Sequence, residues 1–136
     1  MKQYEFLPHT ADVKFRAYGK TMEEAFSNAA LALAKIITDD KVEENIEKEI
    51  SVEAEDEKAL LYDFLEQFLI LIDSENFLLS KVKELKIDGL KLKAKIVGDT
   101  ELDKYEINTH IKAITYQEME INKEKDKYMV QVIPDL

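Results

Sequence analysis

The chemically reactive inventory of this chain is short. It holds no cysteine and two histidines, His9 and His110. A thiolate zinc site, a disulfide framework and a cysteine nucleophile are therefore excluded. No Ser-His-Asp set, glycine-rich phosphate loop or histidine metal signature can be read. What remains is oxygen chemistry: a metal site here uses mostly carboxylate and carbonyl ligands. Such a site suits a hard cation such as calcium, magnesium or manganese and disfavours a structural zinc. The densest group of candidates is Pro8-His9-Thr10-Ala11-Asp12. Pro8 fixes φ and removes a backbone donor, so the chain turns there. His9, Thr10 and Asp12 then stand at the mouth of an alternating segment. A polar cluster in that place either presents a site or satisfies the backbone of a turn. With 29 Asp plus Glu residues, composition alone does not pick a carboxylate to pair with Asp12.

The elements that must position these groups follow from periodicity. Residues 2–7 read as a short strand with Tyr4 and Phe6 on one face. In residues 12–18, Val13, Phe15 and Ala17 alternate with Lys14, Arg16 and Tyr18, a half-buried strand that Gly19 ends. Thr21 and Glu24 have capping-box spacing. Behind them Met22, Ala25, Phe26, Ala29, Ala30, Leu33, Ala34 and Ile37 form the apolar face of a helix that stops near Thr38. The charged run at residues 39–49 reads as a solvated loop or exposed edge, from which a strand with Ile46, Ile50 and Val52 emerges. Asp56 is a plausible N-cap for a second helix. Leu60, Leu61, Phe64, Leu65, Phe68, Leu69, Leu71 and Ile72 give it a broad apolar face, with Asp63 and Glu66 on the polar side.

Residues 77–87 read as extended, with a bulge where Val82 breaks the parity of Leu85 and Ile87. Asp88-Gly89 reads as a type I′ hairpin turn between two alternating strands. Lys91, Lys93 and Lys95 line one exposed strand face, either a phosphate-binding stripe or a solubilising one. After a loop at 98–105, the pattern predicts a strand at 110–121, a charged turn at 122–127 and a last strand at 128–134. On the first of these strands Lys112, Ile114 and Tyr116 share a face. The sum is an α+β fold in a single domain over residues 1–136: a mixed or antiparallel β-sheet of about seven strands covered by two α-helices.

The formal charge of −10 disfavours direct nucleic-acid binding and suits a basic protein partner or cations. No apolar run approaches membrane-spanning length, and the N-terminus lacks the apolar core of a signal peptide, so a cytoplasmic protein with no membrane role is expected.

Four motifs then occur in order: Phe6-x-x-His9-Thr10-Ala11-Asp12, Gly19-x-Thr21-x-Glu23-Glu24-Ala25-Phe26-x-Asn28-Ala29-Ala30, Lys112-Ala113-Ile114-Thr115-Tyr116, and Val132-Ile133-Pro134-Asp135-Leu136. Together they resemble the archease family over nearly the whole chain. The resemblance implies a non-enzymatic accessory of the RtcB-type RNA ligase, which joins tRNA halves during splicing. Archeases promote guanylylation of the ligase, allow it to turn over and broaden its nucleotide use. The resemblance also implies a divalent metal ion, calcium in the family's structures, with manganese or magnesium as alternatives. Carried over, its ligands are Asp12, Asp135 and the carbonyl oxygen of Leu136. Both carboxylates fall at strand ends, where loops are free to converge, and a chain end at Leu136 would add oxygens. His9, Lys112 and Tyr116 are the pocket or partner candidates; His9 otherwise caps a turn, and Lys112 with Tyr116 otherwise form an exposed pair. Two departures stand out: Gln117 where the family often has histidine, and Pro134 where an aliphatic residue is usual. Two other functions compete. One is a general chaperone or modulator of tRNA-modifying enzymes such as methyltransferases. The other is a small metal-dependent hydrolase with the ion on Asp12 and Asp135 and His9 as base.

Overall fold

Helix α1 (Met22–Ile37) begins where the capping box places it. The Glu24 N–H donates to Thr21 Oγ1 at 3.1 Å, and the Glu24 carboxylate reaches back to accept the Lys20 N–H at 3.2 Å. Helix α2 (Glu57–Glu75) begins at Asp56, whose side chain accepts the Ala59 N–H at 2.8 Å. It ends on Asn76 in the left-handed region, a conformation asparagine tolerates better than most residues. The two helices meet through Phe26 and Phe64, stacked at 6.1 Å between ring centroids. This is a computed structural model, and the residues it describes are 1–8 and 13–136.

The strands are β1 (Tyr4–Leu7), β2 (Lys14–Gly19), β3 (Ile46–Glu53), β4 (Leu78–Asp88), β5 (Lys91–Asp99), β6 (Glu120–Glu124) and β7 (Lys127–Val132). The α+β class and the two helices are as the sequence predicts. The seven strands divide between two antiparallel sheets, ordered β1-β2-β7-β6 and β3-β5-β4. Helix α1 packs on β1, β2 and β7 of the first sheet and on β4 of the second, and α2 packs on β3, β4, β5 and β6. Each helix therefore bridges the sheets, which is why both have buried faces too broad for a one-sided cover. The core joins Phe15, Ala17, Val130 and Val132 of one sheet to Ile50, Leu92, Ala94 and Ile96 of the other.

Four local expectations change, the first at 98–105, where β5 runs on through Asp99 and Leu102–Lys104 form a 3-10 turn. The β4–β5 hairpin pairs Asp88 with Lys91, so its turn residues are Gly89 and Leu90, one position later than predicted. Only Gly89 has positive φ, at 64°, the type II′ pattern; leucine resists the positive φ that type I′ demands at the second position. The expected strand at 110–121 does not form, apart from an isolated bridge between Ala113 and Asp135. Its apolar alternation reflects packing, with Ile111, Ile114 and Met119 buried. Glu118, at φ 51°, ends any extended run. Half of the expected charged turn at 122–127 is instead β6, an edge strand whose charged side chains discourage further pairing. Its hairpin turns at Lys125 and Asp126. The bulge near Val82 is present as register shifts on either side of it. Among the described residues, no helix is long and apolar enough to cross a membrane.

Candidate functional site

Strand β2 runs against β7 from Phe15 opposite Val132 to Gly19 opposite Tyr128. Asp12 precedes Phe15 by three positions and Asp135 follows Val132 by three. Strand β2 begins and β7 ends at the same end of this pair, at Phe15 opposite Val132. His9 and Asp12 themselves lie outside the described residues.

Asp135 is held by its backbone. Its N–H donates to the Ala113 carbonyl at 2.8 Å, and its carbonyl accepts the N–H groups of Lys112 at 2.8 Å and Ala113 at 3.4 Å. One turn of chain away, Thr115 Oγ1 donates to the Ile133 carbonyl at 2.6 Å. Ile133 and Pro134 are buried, and Leu136 packs half-buried against the core. With its neighbours anchored inward, Asp135 is directed outward and exposed, and its carboxylate has no hydrogen bond or ion pair among the described residues. Gln117 is exposed, and its N–H donates to Thr115 Oγ1 at 3.3 Å.

The chemistry of the Asp135 end fits a hard cation: an exposed carboxylate with carbonyl oxygens nearby, on a backbone fixed from both sides. Among the described residues no three Asp, Glu or His side chains converge as a complete ligand set.

Lys112 and Tyr116 do not share a strand face, because the segment between them is not a strand. Lys112 gives its N–H to Asp135 and leaves its side chain exposed. Tyr116 leans onto α2 and stacks on Tyr62, with centroids 4.5 Å apart and planes 15° apart. His110, at the other end of the segment, faces Asp73 at 3.9 Å. Residues 110–116 thus run along α2 from its last turns towards its first. The Tyr116 phenol is raised above its ordinary range by partial burial first, then by the charges of Asp63 and Asp56.

Two networks escaped the sequence reading. Gln131 is buried in β7; its side chain accepts from Arg16 Nε at 2.9 Å and donates to the Glu118 carbonyl at 2.8 Å, which fixes the turn after Tyr116. A polar residue among the valines of that strand was the only signal. At the end of β5, Asp99 is buried and accepts from Tyr105 Oη at 2.6 Å and from the N–H groups of Thr100 and Glu101. The Tyr105 hydrogen bond is the largest influence holding Asp99 down at about 2, against an ordinary 3.8. A depressed carboxylate stabilises the fold fully above its unfolded value and loses that contribution as pH falls. Asp99→Asn is expected to lower the melting temperature at neutral pH and to flatten its decline between about pH 4 and 2. Parallel acid limbs for parent and variant in a pH series of thermal melts would refute this.

The lysine face of β5 is balanced by its neighbours. Lys95 pairs in register with Glu49 and Glu84, and Lys91 with Glu53 and Asp88; only Lys93 lies between Ser51 and Lys86. That mixture supports the solubilising reading of the stripe over phosphate binding.

Comparison with known proteins bears on the whole chain. The model of the Archease protein family matches residues 4–136. The archeases of Thermococcus kodakarensis and Thermococcus gammatolerans are 44% and 43% identical to it, each over the full length of both chains. That of Methanothermobacter thermautotrophicus is 40% identical, again over both full lengths. A solution structure of a Methanobacterium thermoautotrophicum protein superposes with a TM-score of 0.85 at 37% identity, covering 100% of each chain. A Thermotoga maritima archease, described as a possible chaperone, shares the fold with a TM-score of 0.70 at 22% identity, covering 96% of this chain and 94% of its own.

Proposed function

The chain belongs to the archease family, and from that premise we propose that it is a non-enzymatic activator of an RtcB-type RNA ligase in the cytoplasm. In this reading it promotes guanylylation of the ligase and multiple turnover, and it widens the ligase's nucleotide use. The observation that best supports the reading is the outward Asp135, whose carboxylate has no hydrogen bond or ion pair among the described residues, on a backbone fixed by Lys112 and Ala113. Asp12, Asp135 and the Leu136 carbonyl would hold a divalent ion, calcium or else manganese or magnesium. When bound, that ion supplies a positive charge that can face an anionic group at the interface. Lys112 acts on this site through its backbone, which fixes Asp135. Its exposed side chain, His9 and Tyr116 are the partner contacts.

The net charge of −10 favours association with the basic RNA-binding face of a ligase and gives that association a salt dependence. No direct contact with RNA is required. The test is ligation with ligase well below the concentration of RNA ends, following product and guanylylated ligase together. Adding this protein should carry product well beyond one equivalent of ligase. Unchanged turnover and guanylylation would overturn the proposal. The broader chaperone reading, in line with the description of the Thermotoga relative, predicts another outcome. Pull-down from native extract would then recover a spread of RNA-modifying enzymes, such as methyltransferases, with no ligase among them.

A further inference from the structure

Tyr116 is 54% exposed although it is a large aromatic residue stacked on a second ring. Its partner Tyr62 is half-buried on α2, one residue before Asp63 and four before Glu66. Residues three and four apart share a helix face, so Glu66 stands beside both Tyr62 and Asp63. Ile70, four residues beyond Glu66, is 47% exposed and continues the strip. Beneath it the helix is anchored by Leu61, Phe64 and Leu65, all fully buried. The Tyr116 side is fixed by the Thr115–Ile133 hydrogen bond and by the Met119 N–H on the Tyr116 carbonyl at 3.1 Å. Both sides of the platform are thus tied to the core, which lowers the ordering cost of binding.

Several surface acids are matched by a base: Lys48 with Glu75, Lys83 with Glu47, Lys104 with Glu43 and Lys123 with Glu57. Asp63 and Glu66 are half-buried and have no hydrogen bond or ion pair among the described residues. Their charges reach the Tyr116 phenol, as its raised pKa reflects, after the larger effect of partial burial. An exposed aromatic face with unmatched carboxylates beside it is complementary to one kind of visitor, a cation with a flat surface.

We propose that the Tyr62–Tyr116 stack, with Asp63 and Glu66, is the seat for an arginine side chain presented by a protein partner. A guanidinium is planar, stacks on an aromatic face and binds a carboxylate in two-pronged fashion. Lysine offers a point charge and fits less well. A nucleobase would stack equally well, but its phosphates would be brought against Asp56, Asp63 and Glu66. One stretch of chain links the seat to the proposed ion site: Tyr116 is four residues from Lys112, whose N–H holds the Asp135 carbonyl. Only the identification of the partner as the ligase rests on the function proposed above.

The test uses the intact protein and capped Gly-X-Gly-X-Gly peptides in which X is arginine, lysine or citrulline, followed by NMR. The arginine peptide should shift the ring signals of Tyr62 and Tyr116 and the amides around Asp63 and Glu66, several-fold more tightly than lysine. Citrulline should leave them in place. Tyr116→Ala should weaken arginine binding about tenfold, the scale of a partly desolvated cation–π contact. Tyr116→Phe should retain it, and Glu66→Gln should weaken it. Equal response to citrulline, shifts confined to other faces, or ring shifts caused by oligouridine but not by arginine would each overturn the proposal. A second arm measures binding of the ligase. If the native protein binds it and Tyr116→Ala binds as well, the seat is wrong. If the native protein does not bind it, the ligase assignment falls, and the peptide arm decides the seat alone.

Discussion

Gly98→Ala lowers the stability of the protein by about 3 kcal/mol, well beyond what one added methyl normally costs on a strand. Gly98 lies in β5 opposite Leu79 on one side and Ile46 on the other. A Cβ there would stand 2.0 Å from the Leu78 carbonyl oxygen, 2.8 Å from Phe77 Cζ and 3.0 Å from the Leu78 carbonyl carbon. The nearest of these is backbone, and Leu78 is paired in the ladder with Asp99, so it has no easy retreat. Phe77 and Leu78 are each 1% exposed, which closes the other escape route. The close approach falls beside the register shift in β4, where a glycine lets two backbones come together. Relief would also disturb Asp99, the next residue, and the loop it anchors. Urea denaturation should show a lower midpoint with an unchanged slope. A variant that unfolds at the parent's midpoint would show that β4 gives way freely at Leu78.

Local chemistry made much of this fold legible. Thr21 with Glu24 and Asp56 with its apolar followers act within a few residues of chain, so both helices could be read with their starts. The hairpin after Asp88 was legible in kind, yet its turn falls one residue later, at Gly89 and Leu90, and takes the type II′ pattern because Leu90 does not adopt positive φ. The segment at 110–118 defeated the pattern for a tertiary reason. Its alternation comes from Ile111 and Ile114 reaching the core while its backbone bonds to Ile133 and Asp135. No periodicity separates that arrangement from a strand. The split into two sheets was equally hidden, since it depends on which strands α1 and α2 bring together. Of the candidate site, Asp135 was visible only through the resemblance. The structure supplies a physical reason for two of its motifs to travel together: Lys112, Ala113 and Thr115 supply the hydrogen bonds that fix Ile133 and Asp135. Tyr62 joined to Tyr116 is a contact across distant sequence, and neither residue alone announced it.

Asp135→Ala is expected to leave the fold intact, weaken calcium or manganese binding at least tenfold, and abolish ligase activation. Fold retention follows from how Asp135 is held. Its structural bonds run through its N–H and carbonyl, which alanine keeps, while its exposed carboxylate contributes no bond among the described residues. Loss of binding follows from charge. A divalent ion between two carboxylates relieves their mutual repulsion, and one anion fewer weakens the attraction that offsets dehydration of the ion. Without metal, the same deletion removes repulsion, so the stability of the variant should hold or rise slightly. Asp12→Ala should behave in the same way. Metal titration by calorimetry, circular dichroism without metal and ligase turnover together separate the outcomes. Native-like circular dichroism with lost affinity and lost turnover is the expected set. Unchanged metal affinity with lost turnover would make Asp135 a contact with the partner and not an ion ligand. Full activation of the ligase by a folded, untagged Asp135→Ala protein would remove Asp135 from the mechanism altogether.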